Sequence, residues 1–273
     1  MKQQPIGVFD SGYGGLTVLK EITARLPQYD FVYLGDNARS PYGTRSFETV
    51  YEYTLECVKW LFEQGCSLVI LACNTASAKA LRSIQQNDLP KIDPHKRVLG
   101  VIRPTTEIIG KLTRSGEVGI LATNGTVISD SYPIEVGKFY PEVHVYQQAC
   151  PMWVPLVENN EYDSPGADYF IKKNIDELLH RSGNIDTILL ACTHYPLLIN
   201  KIREHTKGHI TILSPGEIVA TGLEDYLARH PEIEAKCSKN GLISFYTTDS
   251  TEDFDSHAAN FYGKPVKSAH LSL

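Results

Sequence analysis

Two stretches of this chain are built alike: Leu68-Val69-Ile70-Leu71 runs on into Ala72-Cys73-Asn74-Thr75, and Thr187-Ile188-Leu189-Leu190 into Ala191-Cys192-Thr193-His194. A short unbroken apolar run fits a strand buried on both faces of a parallel sheet, and the polar change after each cysteine reads as the start of a helix. Parallel strands need long, usually helical, crossovers, so these two stretches restrict the chain to an α/β architecture. They also put both thiols at strand C-termini. That is the edge where open α/β sheets bind ligands, and a helix N-terminus there favours negative charge, including a thiolate.

The rest of the chain alternates in the same way. Strand-like runs at residues 6–9, 31–34, 97–102, 118–122, 143–146, 210–213 and 242–247 are separated by helical spacing at 46–64, 75–86, 166–180, 195–204 and 253–261, and Pro104 and Pro215 each suit a helix start. The first run closes on Asp10-Ser11-Gly12-Tyr13-Gly14-Gly15, which has neither the Gly-Lys-Ser/Thr of a P-loop nor dinucleotide-binding glycine spacing. Asp10 in isolation reads equally well as a helix cap or turn residue. Thr123-Asn124-Gly125-Thr126 repeats that strand, small polar turn and helix logic, and 150–158 reads as an ordered loop with room for one helical turn. The predicted fold is α/β: two similar doubly wound lobes with mainly parallel sheets, facing each other across a cleft that holds the active site. Residues 1–98 plus 213–273 make the first lobe and 99–212 the second.

With 273 residues, 42% hydrophobic and 21% charged, the chain can bury a sizeable core. A net charge of −6, with no basic stripe, argues against nucleic acid as a partner. No apolar signal segment separates Met1-Lys2-Gln3-Gln4-Pro5 from the first strand, and no apolar run approaches the ~20 residues of a membrane span. Six cysteines without dense spacing or a C-x-x-C pair point to reduced thiols in a cytoplasm rather than to zinc or a redox motif. Cys57 and Cys66 read as packing residues.

Two equivalent thiols on opposite sides of a cleft suit a reaction whose halves are mirror images: a proton leaves one face of a carbon and another arrives on the opposite face. A thiol of ordinary pKa is only ~3% thiolate at pH 7, so one thiolate facing one thiol in a given direction exists in ~3% of molecules; shifting both pKa values to about 7 raises that to about a quarter. Helix N-termini and a bound ammonium are candidate causes of such a shift, with Asp10 and His194 placed to hold or shuttle the second proton. Two other chemistries use the same residues. One is a thiol hydrolase or transferase with a single nucleophilic cysteine and His194 as base; the other is a non-catalytic amino-acid-binding protein. Taken singly, His194 reads as a packing histidine, and Asp36 and Glu158 as solvated loop acids.

Five stretches together give the chain a resemblance to a family. They are Asp10-Ser11-Gly12-x-Gly14-Gly15-Leu16-Thr17-Val18, Asp36 with Pro41-Tyr42-Gly43, Ala72-Cys73-Asn74-Thr75-Ala76-Ser77, Val154-Pro155-Leu156-Val157-Glu158, and Cys192-Thr193-His194-Tyr195-Pro196-Leu197. In content and order they resemble the cofactor-independent glutamate racemases, and they spread over most of the chain. Ala191 stands where a glycine is usual, and Thr105-Thr106 replaces a more usual Gly-Ala. The resemblance implies interconversion of L- and D-glutamate for peptidoglycan synthesis, with Cys73 acting on the D-enantiomer and Cys192 on the L-enantiomer. It implies that Asp10 assists the first thiol and His194 the second, with Asp36 and Glu158 as further acidic helpers. Substrate would be held by Asp10, Ser11, Pro41, Tyr42, Gly43, Asn74, Thr75, Thr123, Thr126 and Thr193 beside the two cysteines and His194. No pyridoxal phosphate, other cofactor or metal is implied, and similar proteins form homodimers.

Overall fold

The computed structural model describes residues 4–206 and 208–273. Its strands, in chain order, are β1 (Ile6–Asp10), β2 (Phe31–Gly35), β3 (Leu68–Leu71), β4 (Arg97–Gly100), β5 (Glu117–Ala122), β6 (His144–Ala149), β7 (Thr187–Ala191), β8 (Thr211–Leu213), β9 (Ile243–Thr247) and β10 (Ser268–His270). They form a six-stranded sheet in the order β10-β9-β2-β1-β3-β4 and a four-stranded sheet in the order β6-β5-β7-β8. All their pairings are parallel. Each sheet starts in its interior, sends its second strand to one side and its third and fourth to the other. The two therefore share one winding, and the two Ala-Cys stretches are the third strand of each. Where the winding reverses, between first and third strands, the crossovers leave a crevice at the strands' C-terminal ends. The residues after β1, β3, β5 and β7 meet there.

The apolar runs earn this position by facing a core on both sides. Along β3, Leu68 and Ile70 pack into one cluster and Val69 and Leu71 into another. Along β7, Ile188 and Leu190 join the first of these clusters, and Leu189 and Ala191 a third. One cluster is thus shared by both sheets. It includes the fully buried Trp153 and Tyr195, whose rings meet edge to face at 4.8 Å. Burying each such Leu, Ile or aromatic side chain contributes about 1.5–3 kcal/mol, so the lobes are joined by core and not only by linkers. The helix Pro215–Arg229 packs on Leu16–Arg25, and β9 and β10 extend the first sheet beyond β2. No described helix is long and apolar enough to cross a membrane.

Several local expectations are corrected. The helix after Cys73 is regular only over Asn74–Lys79, then continues through Leu81–Ser83 and a π-helical stretch at Ile84–Asp88 to Leu89–Ile92. Pro90 is the cause: its nitrogen cannot donate and its ring crowds the carbonyl of Gln86, so the ladder widens before it. The helix expected to open at Pro104 begins at Ile102 instead. Pro104 still falls in the first turn, where an N–H has no intrahelical acceptor. Strand β6 runs three residues past the expected end at Tyr146 because Gln147 and Gln148 are buried with their amides donating to Asp130 and Glu177, at 2.9 and 2.7 Å. The three-residue β10 carries no apolar run and was not expected.

Asp186, just before β7, clamps the loop that leads into β5. Its carboxylate accepts from the Thr113 hydroxyl at 2.6 Å and from the backbone N–H groups of Arg114 and Ser115, both at 2.8 Å. Partial burial opposes the charge, but these hydrogen bonds outweigh it and hold the group at about 2. A carboxyl held below its unfolded value contributes stability above that value and loses it as pH falls through the folded one, here between about 3.8 and about 2. Asp186→Asn should cost on the order of 2 kcal/mol at pH 7. In denaturant titrations the gap to the parent should shrink as pH is lowered below 4; a gap independent of pH would contradict this assignment.

Candidate active site

Cys73 follows Ala72 at the end of β3 and caps the helix Asn74–Lys79, its sulfur accepting from the Ala76 N–H at 3.4 Å and donating to Ser11 Oγ at 3.5 Å. The Ala76 bond and the helix end favour a thiolate, and the Ser11 hydroxyl can turn to donate to one. Burial and the neighbouring Asp10 charge work the other way and win, pushing the thiol up to about 12. The expected fall toward 7 is therefore absent, because in a site closed to water the desolvation cost exceeds what two long hydrogen bonds return. At pH 7 only about one molecule in 10⁵ carries a Cys73 thiolate.

Cys192 occupies the matching place after Ala191 and β7, but its surroundings differ. No regular helix starts at it: Thr193-His194 leads into a 3-10 turn at Tyr195–Leu198, with Pro196 in its first positions, before the helix Ile199–His205. Its partner is a side chain. His194 Nδ1 lies 4.0 Å from the Cys192 sulfur, and Nε2 lies 3.0 Å from Glu158 Oε1. Burial disfavours the charged ring, yet the bonds to Cys192 and Glu158 and the charges behind them push His194 up to about 10. Its imidazolium accordingly has both nitrogens protonated at neutral pH. Phe261 packs against the ring at 5.3 Å, edge to face.

Asp10 is fully buried beneath the glycine turn. One carboxylate oxygen accepts from the Gly12 N–H at 3.0 Å, and the other has no hydrogen-bond partner among the described residues. Burial raises its pKa, and the His194 charge pulls the other way. Far from capping a helix, it lies within electrostatic reach of both Cys73 and His194.

A cavity of about 70 Å³ opens between the two cysteines. Ser11, Asn74 and Thr75 line it from the first lobe and Thr123, Thr193 and His194 from the second; Pro41, Tyr42 and Gly43 close one end. Four of the expected residues stand behind this lining. Thr126 bonds to Thr123 at 3.2 Å, and Glu158 bonds to His194. Asp10 supports the glycine turn. Asp36 is fully buried, not solvated: it accepts from Arg39 Nε at 2.7 Å, Thr248 at 2.9 Å and the Tyr42 hydroxyl, so it anchors the loop bearing Tyr42.

Sequence reasoning passed over Ser40, Asn124, Val154 and Cys150, which also line the cavity. The signal for Cys150 was present. Ala149-Cys150 ends β6 and is a third Ala-Cys at a strand terminus, hidden because Gln147-Gln148 breaks the apolar run.

The lobes touch directly around the cavity. The Thr17 hydroxyl donates to the Thr193 carbonyl at 2.9 Å, and the hydroxyls of Thr75 and Thr123 meet at 2.9 Å. Gly14 approaches so closely that a Cβ there would lie 2.2 Å from Thr193 Oγ1 and 2.5 Å from His194 Nδ1.

A model of the Asp/Glu/Hydantoin racemase family matches residues 6–223. The chain belongs to that family. It is an enzyme of the isomerase class. Glutamate racemase from Geobacter metallireducens is 39% identical over 264 residues, covering 96% of this chain and 94% of that protein. Among solved structures, glutamate racemase isoform RacE1 from Bacillus anthracis has a TM-score of 0.90 at 34% identity, covering 100% of this chain and 99% of that one. Glutamate racemase from Francisella tularensis in complex with D-glutamate has a TM-score of 0.88 at 30% identity, covering 100% and 98%.

Two predictions follow from the geometry of this racemase. Gly14→Ala should hold the lobes apart at Thr193 and His194 and lower kcat/KM for racemisation by about 10²-fold, the scale expected for an ångström of misplacement; an alanine enzyme within twofold of the parent would show that the close approach is dispensable. Glu158→Gln removes the acceptor charge from His194. Followed by NMR of the ring protons, His194 should then titrate at least one unit lower, and an unchanged titration would mean that Glu158 does not hold the imidazolium.

Proposed function

We propose that this racemase interconverts L- and D-glutamate by two-base proton transfer, with Cys192 and Cys73 as the two acid/base groups. One observation carries the proposal: two thiols, each at the end of the third strand of sheets that share one winding, border one cavity from opposite lobes. In the L-to-D direction the Cys192 thiolate takes the α-proton, and the electron pair left on Cα delocalises into the carboxylate. The Cys73 thiol delivers its proton to the opposite face, which yields D-glutamate, a Cys192 thiol and a Cys73 thiolate. The protonated state of free Cys73 suits it to be the donor in this direction. In reverse, Asp10 assists Cys73 in becoming the base, and the His194 imidazolium returns a proton to the Cys192 side. Asn74, Thr75, Thr123 and Thr193 offer hydroxyl and amide groups to the substrate carboxylates, and exclusion of water strengthens each of those contacts. The choice of glutamate rests on the glutamate racemases to which the chain is similar.

The same proposal places D-glutamate supply for peptidoglycan synthesis in the cytoplasm, a setting consistent with six cysteines that are all free. It takes residues 1–98 plus 213–273 and 99–212 as the two lobes, and a homodimer as the working assembly.

Incubation with L-glutamate in D₂O, followed by NMR at Cα, should show solvent deuterium entering Cα as D-glutamate forms. Absence of uptake would sink the racemase proposal. Cys73→Ala and Cys192→Ala should each lower kcat by at least ~10³-fold, since each removes one of two obligatory proton carriers. If only Cys192→Ala lost activity, a single-nucleophile enzyme would be the better account.

A further inference from the structure

Asn74 carries an unusual pair of bonding states for a buried amide. It is 2% exposed and lines the cavity, yet its Nδ2 group has no hydrogen-bond partner among the described residues. An amide nitrogen left unpaired in a native interior is costly and persists only where something else uses the group. Its Oδ1, by contrast, is taken. The fully buried Tyr132 hydroxyl donates to it at 2.7 Å from the helix Ser131–Phe139 of the opposite lobe.

Burial raises the Tyr132 pKa, so the phenol keeps its proton, and its O–H is the donor in that bond. An acceptor must face it. Of the two ends of the Asn74 amide only Oδ1 can be that acceptor, and this turns both Nδ2 protons toward the cavity. Ser131, one residue earlier, donates to the Ala78 carbonyl at 3.2 Å, so the same helix end touches both ends of the helix that Cys73 caps.

We propose that Tyr132 is a positioning residue for racemisation: by holding Asn74 Oδ1 from the second lobe, it aims the Asn74 NH₂ group at a substrate carboxylate. The inference rests on the amino-acid racemase proposal above and adds the residue that orients its amide donor. Because the bond crosses the lobe boundary, the amide is oriented only when the lobes are closed. Substrate carboxylate and closed lobes then favour each other.

The test is a double-mutant cycle on the full chain, with L- and D-glutamate as probes and the D₂O assay run in parallel. Tyr132→Phe keeps the ring and removes the hydroxyl. It should raise KM for both enantiomers about 5- to 20-fold with kcat changed less than threefold, and leave Tm within a few degrees. Asn74→Ala should raise KM further, and Tyr132→Phe added to it should change KM by less than twofold, since the phenol acts only through the amide. Independent, multiplying effects in the double variant would overturn the proposal, as would a Tyr132→Phe enzyme with the parent KM. Asn74→Asp is the second variant should Tyr132→Phe fold poorly. Tyr132 can still donate to one oxygen, but the cavity then meets an acceptor in place of a donor, and KM should rise more than 100-fold with the fold retained; parent-like KM in Asn74→Asp would overturn the proposal. If the parent takes up no deuterium from D₂O, it is the racemase proposal that fails, a result separate from additivity in the cycle.

Discussion

Desolvation is the constraint on which the rest of this site depends. Closing two lobes over a small cavity strips water from Cys73, Asp10 and His194 together, and each responds according to the partners it retains. Cys73 keeps two long hydrogen bonds and a nearby carboxylate, so it becomes a firmly protonated thiol. His194 keeps a carboxylate at 3.0 Å and a sulfur at 4.0 Å, and stays charged despite its burial. Raising the Cys73 thiol from its ordinary 9.0 to about 12 corresponds to on the order of 4 kcal/mol against its ionised form. A substrate ammonium about 4 Å from the sulfur would return about 4 kcal/mol at an effective dielectric of 20. Most of the ionisation of Cys73 is therefore a property of the complex and not of the free enzyme.

The second consequence is that matched positions do not make matched residues. Both cysteines end a third strand, and the winding of the two sheets is the same. Past the cysteine the lobes diverge: Asn74-Thr75-Ala76 continues as helix, so a backbone N–H reaches the Cys73 sulfur, whereas the matching Tyr195 N–H bonds to the Cys192 carbonyl and the Cys192 sulfur faces the His194 ring instead. One thiol is set by backbone and burial, and the other lies beside an imidazolium held by Glu158. Under the two-base proposal, a reaction symmetric in its chemistry is thus run by two differently built halves.

Much of this was legible in the residues themselves. Apolar runs at 68–71 and 187–190 could only be doubly buried parallel strands, and the cysteines after them had to face the crevice. What stayed hidden was set by tertiary context. Asp36 has the composition of a loop acid, and only the folded chain brings Arg39, Tyr42 and Thr248 around it. Cys150 was masked by Gln147 and Gln148, whose amides are buried because Asp130 and Glu177 receive them. Tyr132 has no sequence signal at all, since its partner lies 58 positions away in the other lobe. The thiol pKa went astray for the same reason: a helix N-terminus can be read from a sequence, whereas the dryness of a cleft cannot.

That dryness depends on contacts that few side chains would permit. Gly14 lets the first lobe's turn lie against Thr193 and His194 with no room for a Cβ, and Gly43 meets Thr123 almost as closely, a Cβ there lying 3.0 Å from its side chain. Around them the Thr17, Thr75, Tyr132 and Ser131 hydroxyls bond across the boundary. Each such bond is worth only about 1 kcal/mol net, and they act together with the core that both sheets share to hold the lobes closed over the cavity. Because they are made by residues adjacent to Cys73, Asn74 and Cys192, closing the lobes also aligns the reacting groups. In this fold the exclusion of water and the alignment of the two thiols are one structural event.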